Sequence, residues 1–176
     1  RYFCLSRGLG DVYKRQAYTV ACVGSTLANA EHRMSIDAQL GEMVGRTVAA
    51  LNRLVAGDHE PFKALYSRET DVTVFGGFGA YERGWEQVSQ NIELAASRFR
   101  GGHVEIESLA AGTSGDLAYT VWIERGTVSV EGRAEPGLLV VRVTHLFRRE
   151  DGTWKLIHRH GDPIVEKTEA AAVLQR

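Results

Sequence analysis

Cysteine is almost missing from this chain: two occur in 176 residues, Cys4 and Cys22, and none follows Met34. From that point a disulfide framework, a cysteine nucleophile and a thiolate zinc site are all excluded. No apolar run approaches the roughly 18 residues needed to span a bilayer, so no membrane segment is expected. Neither sign of charge dominates, with 21 basic and 22 acidic residues for a net of -1. The broad positive field that nucleic acid or an anionic membrane would require is therefore lacking, and neither is expected as a partner. Internal repeats, low-complexity tracts and linkers are absent as well. What is present, 44% hydrophobic and 24% charged residues, suits a soluble protein with one sizeable core. A cytoplasmic location fits the lack of thiols.

The N-terminal stretch needs separate treatment. Its first sixteen residues, ending Asp11-Val-Tyr-Lys-Arg-Gln16, read like the translation of a sequencing-library adapter, a scar found on metagenomic contigs, and are set aside. They carry four bases and one acid, +3, so the remainder holds about -4 of the chain's -1. Residues 17–33 contain a small apolar run and Ala28-Asn29-Ala30, which looks like an export-signal cleavage site; Met34 is the preferred start, and export is the alternative to the cytoplasm. The domain is expected over residues 34–167, with 168–176 a loose tail.

Ser35 can cap a helix in which Ile36, Leu40, Met43, Val44, Thr47, Val48, Leu51, Leu54 and Val55 keep a 3.6-residue period until Gly57. Asp58 is an N-cap for a short second helix with Pro61 in its first turn and Phe62, Leu65 and Tyr66 as its apolar stripe. Residues 71–75 alternate as a strand. Gly76-Gly77-Phe78-Gly79 breaks the chain as a turn, since the Lys-Ser/Thr of a phosphate loop does not follow it. Trp85, Val88, Ile92, Ala95 and Phe99 then mark a third helix, stopped by Gly101-Gly102. Strand patterns follow at about 103–111, 116–130, 138–148 and 154–164, separated by turn signals. Helices first and an antiparallel meander after is an α+β layout.

Asp151-Gly152 between two apolar-rich runs is a strong hairpin signal. A two-residue turn pairs Phe147 with Leu156, His145 with His158 and Val143 with His160. A type I turn with a glycine bulge instead sets Thr144 against His158 and Arg142 against His160. Under either register the two-residue period puts His158, His160 and Asp162 on one face, continued by Trp154 and Leu156.

This order, with Ala-Gly-Asp at 56–58, Ala-Leu-Tyr at 64–66, Tyr-Glu-Arg-Gly-Trp at 81–85 and Asp-Gly-Thr-Trp-Lys-Leu-Ile-His-Arg-His at 151–160, resembles the nuclear transport factor 2-like superfamily and its SnoaL-like branch. The last hairpin is also similar to the association domain of calcium/calmodulin-dependent kinase II. The resemblance implies a cone-shaped, curved antiparallel sheet packed on three N-terminal helices, the cystatin-like roll also used by ketosteroid isomerases, and usually a homodimer through the outer face of the sheet. It implies a pocket for a small apolar or aromatic ligand, and chemistry without a cofactor, as isomerase, cyclase or dehydratase. Aligned with ketosteroid isomerases, Ala50 stands where the oxyanion-hole tyrosine would be and Val74 where the base aspartate would be, so steroid isomerisation by that route is not expected.

The residues then offer three readings. His158, His160 and Asp162, with His145, can form a proton-transfer set, because an imidazole titrates near neutrality and a carboxylate beside it stabilises its charged form. The same alternation serves equally to hydrogen-bond across a sheet or to line a dimer face, which makes a non-catalytic association or ligand-sensing module the alternative. A third reading takes His160 and Asp162 with His145 or His158 as a metal triad, at a spacing too generic to favour it. Tyr66, Tyr81, Trp85, Tyr119 and Trp122 can wall a pocket for a flat ligand, with Arg142 anchoring a polar group if it points inward. Asp116, Glu124, Glu131 and the Arg148-Arg149 pair read as solvated strand ends or turn residues.

Overall fold

The computed structural model describes residues 38–76 and 81–164. The expectations for the leader, for Ser35 and Ile36, for Gly77-Phe78-Gly79 and for the tail lie outside these residues. The chain divides into two units, Arg1–Ala38 and Gln39–Arg176, and the sheet belongs to the second.

Helix α1 occupies residues 38–55 and buries Leu40, Met43, Thr47, Leu51, Leu54 and Val55, the stripe that the 3.6-residue period anticipates. Gly57, at φ +93°, takes the left-handed conformation that ends the helix, and its N–H donates to the Leu54 carbonyl. Helix α2, Glu60–Leu65, follows with Phe62 and Leu65 buried. Its N-cap is His59; Asp58 instead accepts the Glu60 N–H at 3.2 Å and pairs with Arg53. Strand β1 (Thr73–Phe75) and strand β2 (Tyr81–Arg83), the latter too short to register in the sequence pattern, form an antiparallel pair ahead of helix α3, Trp85–Arg98. Phe99, expected on that helix, starts strand β3 (Phe99–Ser114), and strands β4 (Leu117–Val130), β5 (Gly137–Glu150) and β6 (Thr153–Pro163) complete the meander.

The α+β expectation holds: the helices pack on one curved, unclosed sheet of six strands in the order β2-β1-β6-β5-β4-β3. All neighbours are antiparallel except β1 and β6, which run parallel, so the sheet is mixed where an all-antiparallel one was expected. On the edge strand β3, Asn52 of α1 takes the part of a missing neighbour. Its side-chain amide donates to the Val104 carbonyl and accepts the Val104 N–H, each at 2.9 Å, which satisfies backbone groups that an edge would leave open.

The last hairpin keeps the two-residue-turn register at its tip but beyond Leu156 follows neither expected register, since Leu146, and not His145 or Thr144, faces His158. Asp151 (φ +48°) and Gly152 (φ +75°) form a two-residue turn with Glu150 opposite Thr153 and Phe147 opposite Leu156. Beyond Leu156 the ladder shifts by one, because Ile157 is an extra residue on β6: Leu146 faces His158, His145 faces Arg159, Thr144 faces His160 and Arg142 faces Asp162. A one-residue bulge reverses which side chains point inward. Trp154 and Leu156 are buried against the helices, but after Ile157 it is Arg159, Gly161 and Pro163 that line the interior.

Candidate functional site

Between the helices and the concave face of the sheet lies a cavity of about 180 Å³. Leu51, Leu54 and Val55 of α1, Phe62 of α2, Ile92 and Ala95 of α3, and Phe99, Leu139 and Val141 of the sheet give it mostly apolar walls. Gly161 keeps it open at an inward position, since a Cβ there would sit 3.3 Å from the Arg159 guanidinium and 3.5 Å from Val141. Polar groups enter the lining through Tyr66, Asn91, Glu124 and Arg159.

Glu124 and Arg159 form a two-pronged ion pair, with Nη1 donating to Oε1 at 2.8 Å and Nη2 to Oε2 at 2.9 Å. The Trp122 indole donates to Glu124 Oε1 at 3.2 Å. Arg159 Nη1 also lies 2.9 Å from His145 Nε2. A guanidinium can only donate, so Nε2 accepts and the ring proton sits on Nδ1, 3.3 Å from the Thr120 hydroxyl. Burial, then the Arg159 charge and that of His158, hold the His145 pKa well below its usual value, which keeps the ring neutral. For Arg159, burial favours the neutral form, but the charge and hydrogen bonds of Glu124 outweigh it and raise its pKa. Thr120, His145, Arg159, Glu124 and Trp122 thus form a continuous buried chain in which each side chain has a partner. Tyr66 stands apart: its hydroxyl is buried with none. Burial pushes that phenol well above its ordinary pKa, Arg159 opposing and Glu124 adding, so Tyr66 is a neutral donor.

The sequence-derived candidates separate across the sheet. His158, His160 and Asp162 do share a face, as expected, but it is the outer one. His158 Nδ1 lies 2.7 Å from the Thr73 hydroxyl, and Phe75 stands edge-on to both rings, 5.0 Å from His158 and 5.4 Å from His160. His160 Nε2 is 2.5 Å from Asp162, and Arg142, also outward, donates to Asp162 at 2.7 Å. That bond outweighs the opposing effect of burial and, with the His160 charge adding, holds the Asp162 carboxyl below its usual range. Burial and then the His160 charge lower the His158 pKa. Pointing away from the cavity, the three cannot act on a molecule inside it, and His145 faces the opposite way from them. The metal reading loses its triad for the same reason: among the described residues no group of three His, Cys, Asp or Glu side chains is placed to hold an ion.

Of the aromatic candidates, Tyr66 lines the cavity, and Trp122 is buried in its polar wall. Trp85 packs 6.4 Å from Tyr66 beneath the Arg68 guanidinium. Tyr81 is 74% exposed and Tyr119 is 42% exposed on the outer face. The two residues missed by the sequence reading are Glu124 and Arg159. Glu124 was legible in part, because it lies two residues after Trp122 and so shares its inward face. Arg159 was not, because unbroken alternation from Leu156 sends it outward.

A family model described as a SnoaL-like domain matches residues 44–166. No curated protein matches the chain. Among solved structures, the chain is similar to a nuclear transport factor 2-like superfamily protein from Salmonella enterica, with 15% identity, TM-score 0.67, and 78% of this chain and 96% of that one covered. It is also similar to a candidate scytalone dehydratase from Novosphingobium aromaticivorans, with 15% identity, TM-score 0.64 and coverages of 77% and 89%. A third is a candidate calcium/calmodulin-dependent protein kinase type II association domain from Thiobacillus denitrificans, with 15% identity, TM-score 0.58 and coverages of 70% and 93%. At such identities the likeness is one of fold.

Proposed function

This chain belongs to the SnoaL-like domain family, and from that premise we propose that its cavity binds a small, largely apolar molecule carrying an oxygen acceptor. The observation that carries the reading is the partnerless Tyr66 hydroxyl, buried in the wall of an otherwise apolar cavity. A buried donor without an acceptor costs about 1–3 kcal/mol, a deficit that a ligand carbonyl would remove. The size favours one ring: about 180 Å³ compares with the roughly 150 Å³ that admits benzene in an engineered cavity. Net charge at the polar end is zero, because Glu124 and Arg159 cancel, which favours a neutral ligand.

Thermal-shift titrations with acetophenone and with α-methylstyrene, its hydrocarbon isostere, test this. The ketone should stabilise the wild type more, the two should become equal in Tyr66→Phe, and Gly161→Leu should weaken both by filling the cavity. If neither compound stabilises the wild type, or if Gly161→Leu changes nothing, the reading fails.

A cofactor-free isomerase or lyase is the second reading, favoured because the Glu124 carboxylate and the neutral Tyr66 phenol belong to the same cavity wall. Tyr66 would donate to the substrate oxygen as charge develops there, and Glu124 would take a carbon-bound proton. Both Glu124 oxygens already hold donors, so binding ranks first. Methyl-proton exchange of acetophenone in D2O, followed by NMR, separates the two. Acceleration that Glu124→Gln abolishes supports catalysis, and a buffer-level rate supports a binding module. We further infer that two copies associate through the outer sheet face, which exposes Leu117, Tyr119 and Leu146.

A further inference from the structure

The apolar cavity has two ends, which exposure tells apart. Phe62, Tyr66, Glu124 and Gly161 are buried at its floor, whereas Gly76, Asn91, Ala95, Phe99 and Leu139 are half-buried and mark its mouth. Of these five mouth residues, Asn91 alone carries a polar side chain. It borders the buried stripe of α3, which Val88, Ile92 and Ala96 form. Its Nδ2 donates to Glu82 Oε1 at 3.3 Å. Glu82 stands opposite Val74 in the ladder of β1 and β2, on the inner side that Val74 presents to the cavity. An ionised carboxylate can only accept, so this bond decides which end of the amide is nitrogen and commits that end to Glu82. Among the described residues nothing donates to Asn91 Oδ1, and this oxygen, unlike the Tyr66 hydroxyl, is not sealed off by its surroundings.

A donor at the floor and an acceptor at the mouth select a ligand that carries the complementary groups at its two ends. We propose that the cavity takes a neutral one-ring molecule with a carbonyl at its inner end and a hydroxyl at its outer end, the hydroxyl donating to Asn91 Oδ1. This rests on the reading of the cavity as a ligand site with Tyr66 as its donor. Trp85, whose ring packs 6.4 Å from that of Tyr66, is the first residue of α3. Asn91 follows it by six residues, about 9 Å along the helix axis at 1.5 Å per residue. Such a separation suits oxygens at opposite ends of a ring, not on neighbouring carbons. Glu82 keeps the amide in one orientation, so that its oxygen and not its NH2 is left for the ligand, and the Glu82 charge near the mouth disfavours an anion.

The test uses the full chain and three ligands: acetophenone, para-hydroxyacetophenone and its near-isostere para-methylacetophenone, titrated by calorimetry at a pH where the phenol is neutral. The wild type should bind the hydroxy compound about threefold to tenfold more tightly than the methyl compound, the net worth of one hydrogen bond. Asn91→Leu should bring that ratio to one or reverse it. Glu82→Ala, which frees the amide to turn its NH2 inward, should lower it. If acetophenone itself does not bind, the cavity reading fails and this inference with it. If acetophenone binds but the wild type treats the hydroxy and methyl compounds alike, or if the ratio survives Asn91→Leu, this inference fails while the cavity reading stands. Should the leucine variant not fold, an unchanged ratio in Glu82→Ala is sufficient to overturn it.

Discussion

Buried groups at the cavity carry opposite stability costs. Glu124 and Arg159 satisfy one another, so Glu124→Ala strands a cation and should cost about 3–5 kcal/mol in urea unfolding. Tyr66→Phe does the reverse: it deletes a hydroxyl that has no partner and should stabilise the unliganded protein by about 1 kcal/mol while removing the preference for a carbonyl ligand. A gain in stability together with a loss of selectivity is the signature of a group kept for binding. His145 sets a pH dependence. Folding lowers its pKa, so below the unfolded value of about 6.5 the unfolded chain binds more protons than the folded one. The contribution is complete above that pH and is lost as pH falls through the range below it, with a limiting slope of about 1.4 kcal/mol per pH unit for one site. His158 acts in the same direction. Unfolding free energies between pH 5 and 8 should show this slope, and NMR should find the His145 ring still neutral below pH 6.5.

At the scale of the element, β6 is decided by one residue. Ile157 sends Arg159 to the cavity and His158 and His160 outward, whereas the regular strand that the sequence suggests does the opposite. Deleting Ile157 would remove the bulge but keep the ladder, Phe147 opposite Leu156 and Leu146 opposite His158, so Arg159 stays against Glu124 and both imidazoles stay outside. The expected result is a retained cooperative unfolding transition, read by near-UV circular dichroism and urea melts; loss of that transition would show that the bulge itself is needed to seat Arg159. The helices were legible because their apolar stripes repeat over several turns, and Asp151-Gly152 was legible because backbone conformation there is local. A bulge leaves no such mark: Ile157 is an ordinary strand residue, and the register on either side of it rests on distant partners, the backbone bridge of Leu156 to Tyr66 and the pairing of Arg159 with Glu124. The short strand Tyr81–Arg83 escaped notice for a related reason, as three residues cannot establish a period.

For the molecule as a whole, the two faces of the sheet divide the work. The inner face holds the cavity and the buried ion pair; the outer face presents Leu117, Tyr119 and Leu146 beside the His158, His160 and Asp162 cluster. Association through that outer face predicts a sedimentation mass near twice the 19.4 kDa of one chain, and Leu146→Glu should shift it to one chain without changing ligand binding in the cavity. A monomeric wild type would count against the interface and leave the cavity proposal untouched.

Composition, periodicity and turn chemistry by themselves determined an α+β chain of three helices and a meander, with the hairpin that relates it to its family, because each depends on neighbours a few residues apart. Which carboxylate meets which cation was decided only by tertiary structure. Glu124 and Arg159 are 35 residues apart, and Arg159 reaches the interior only because one extra residue shifts the ladder. In a strand with a two-residue period, a single such shift moves every later side chain through the sheet, so the site depends on a register that only the packed molecule fixes.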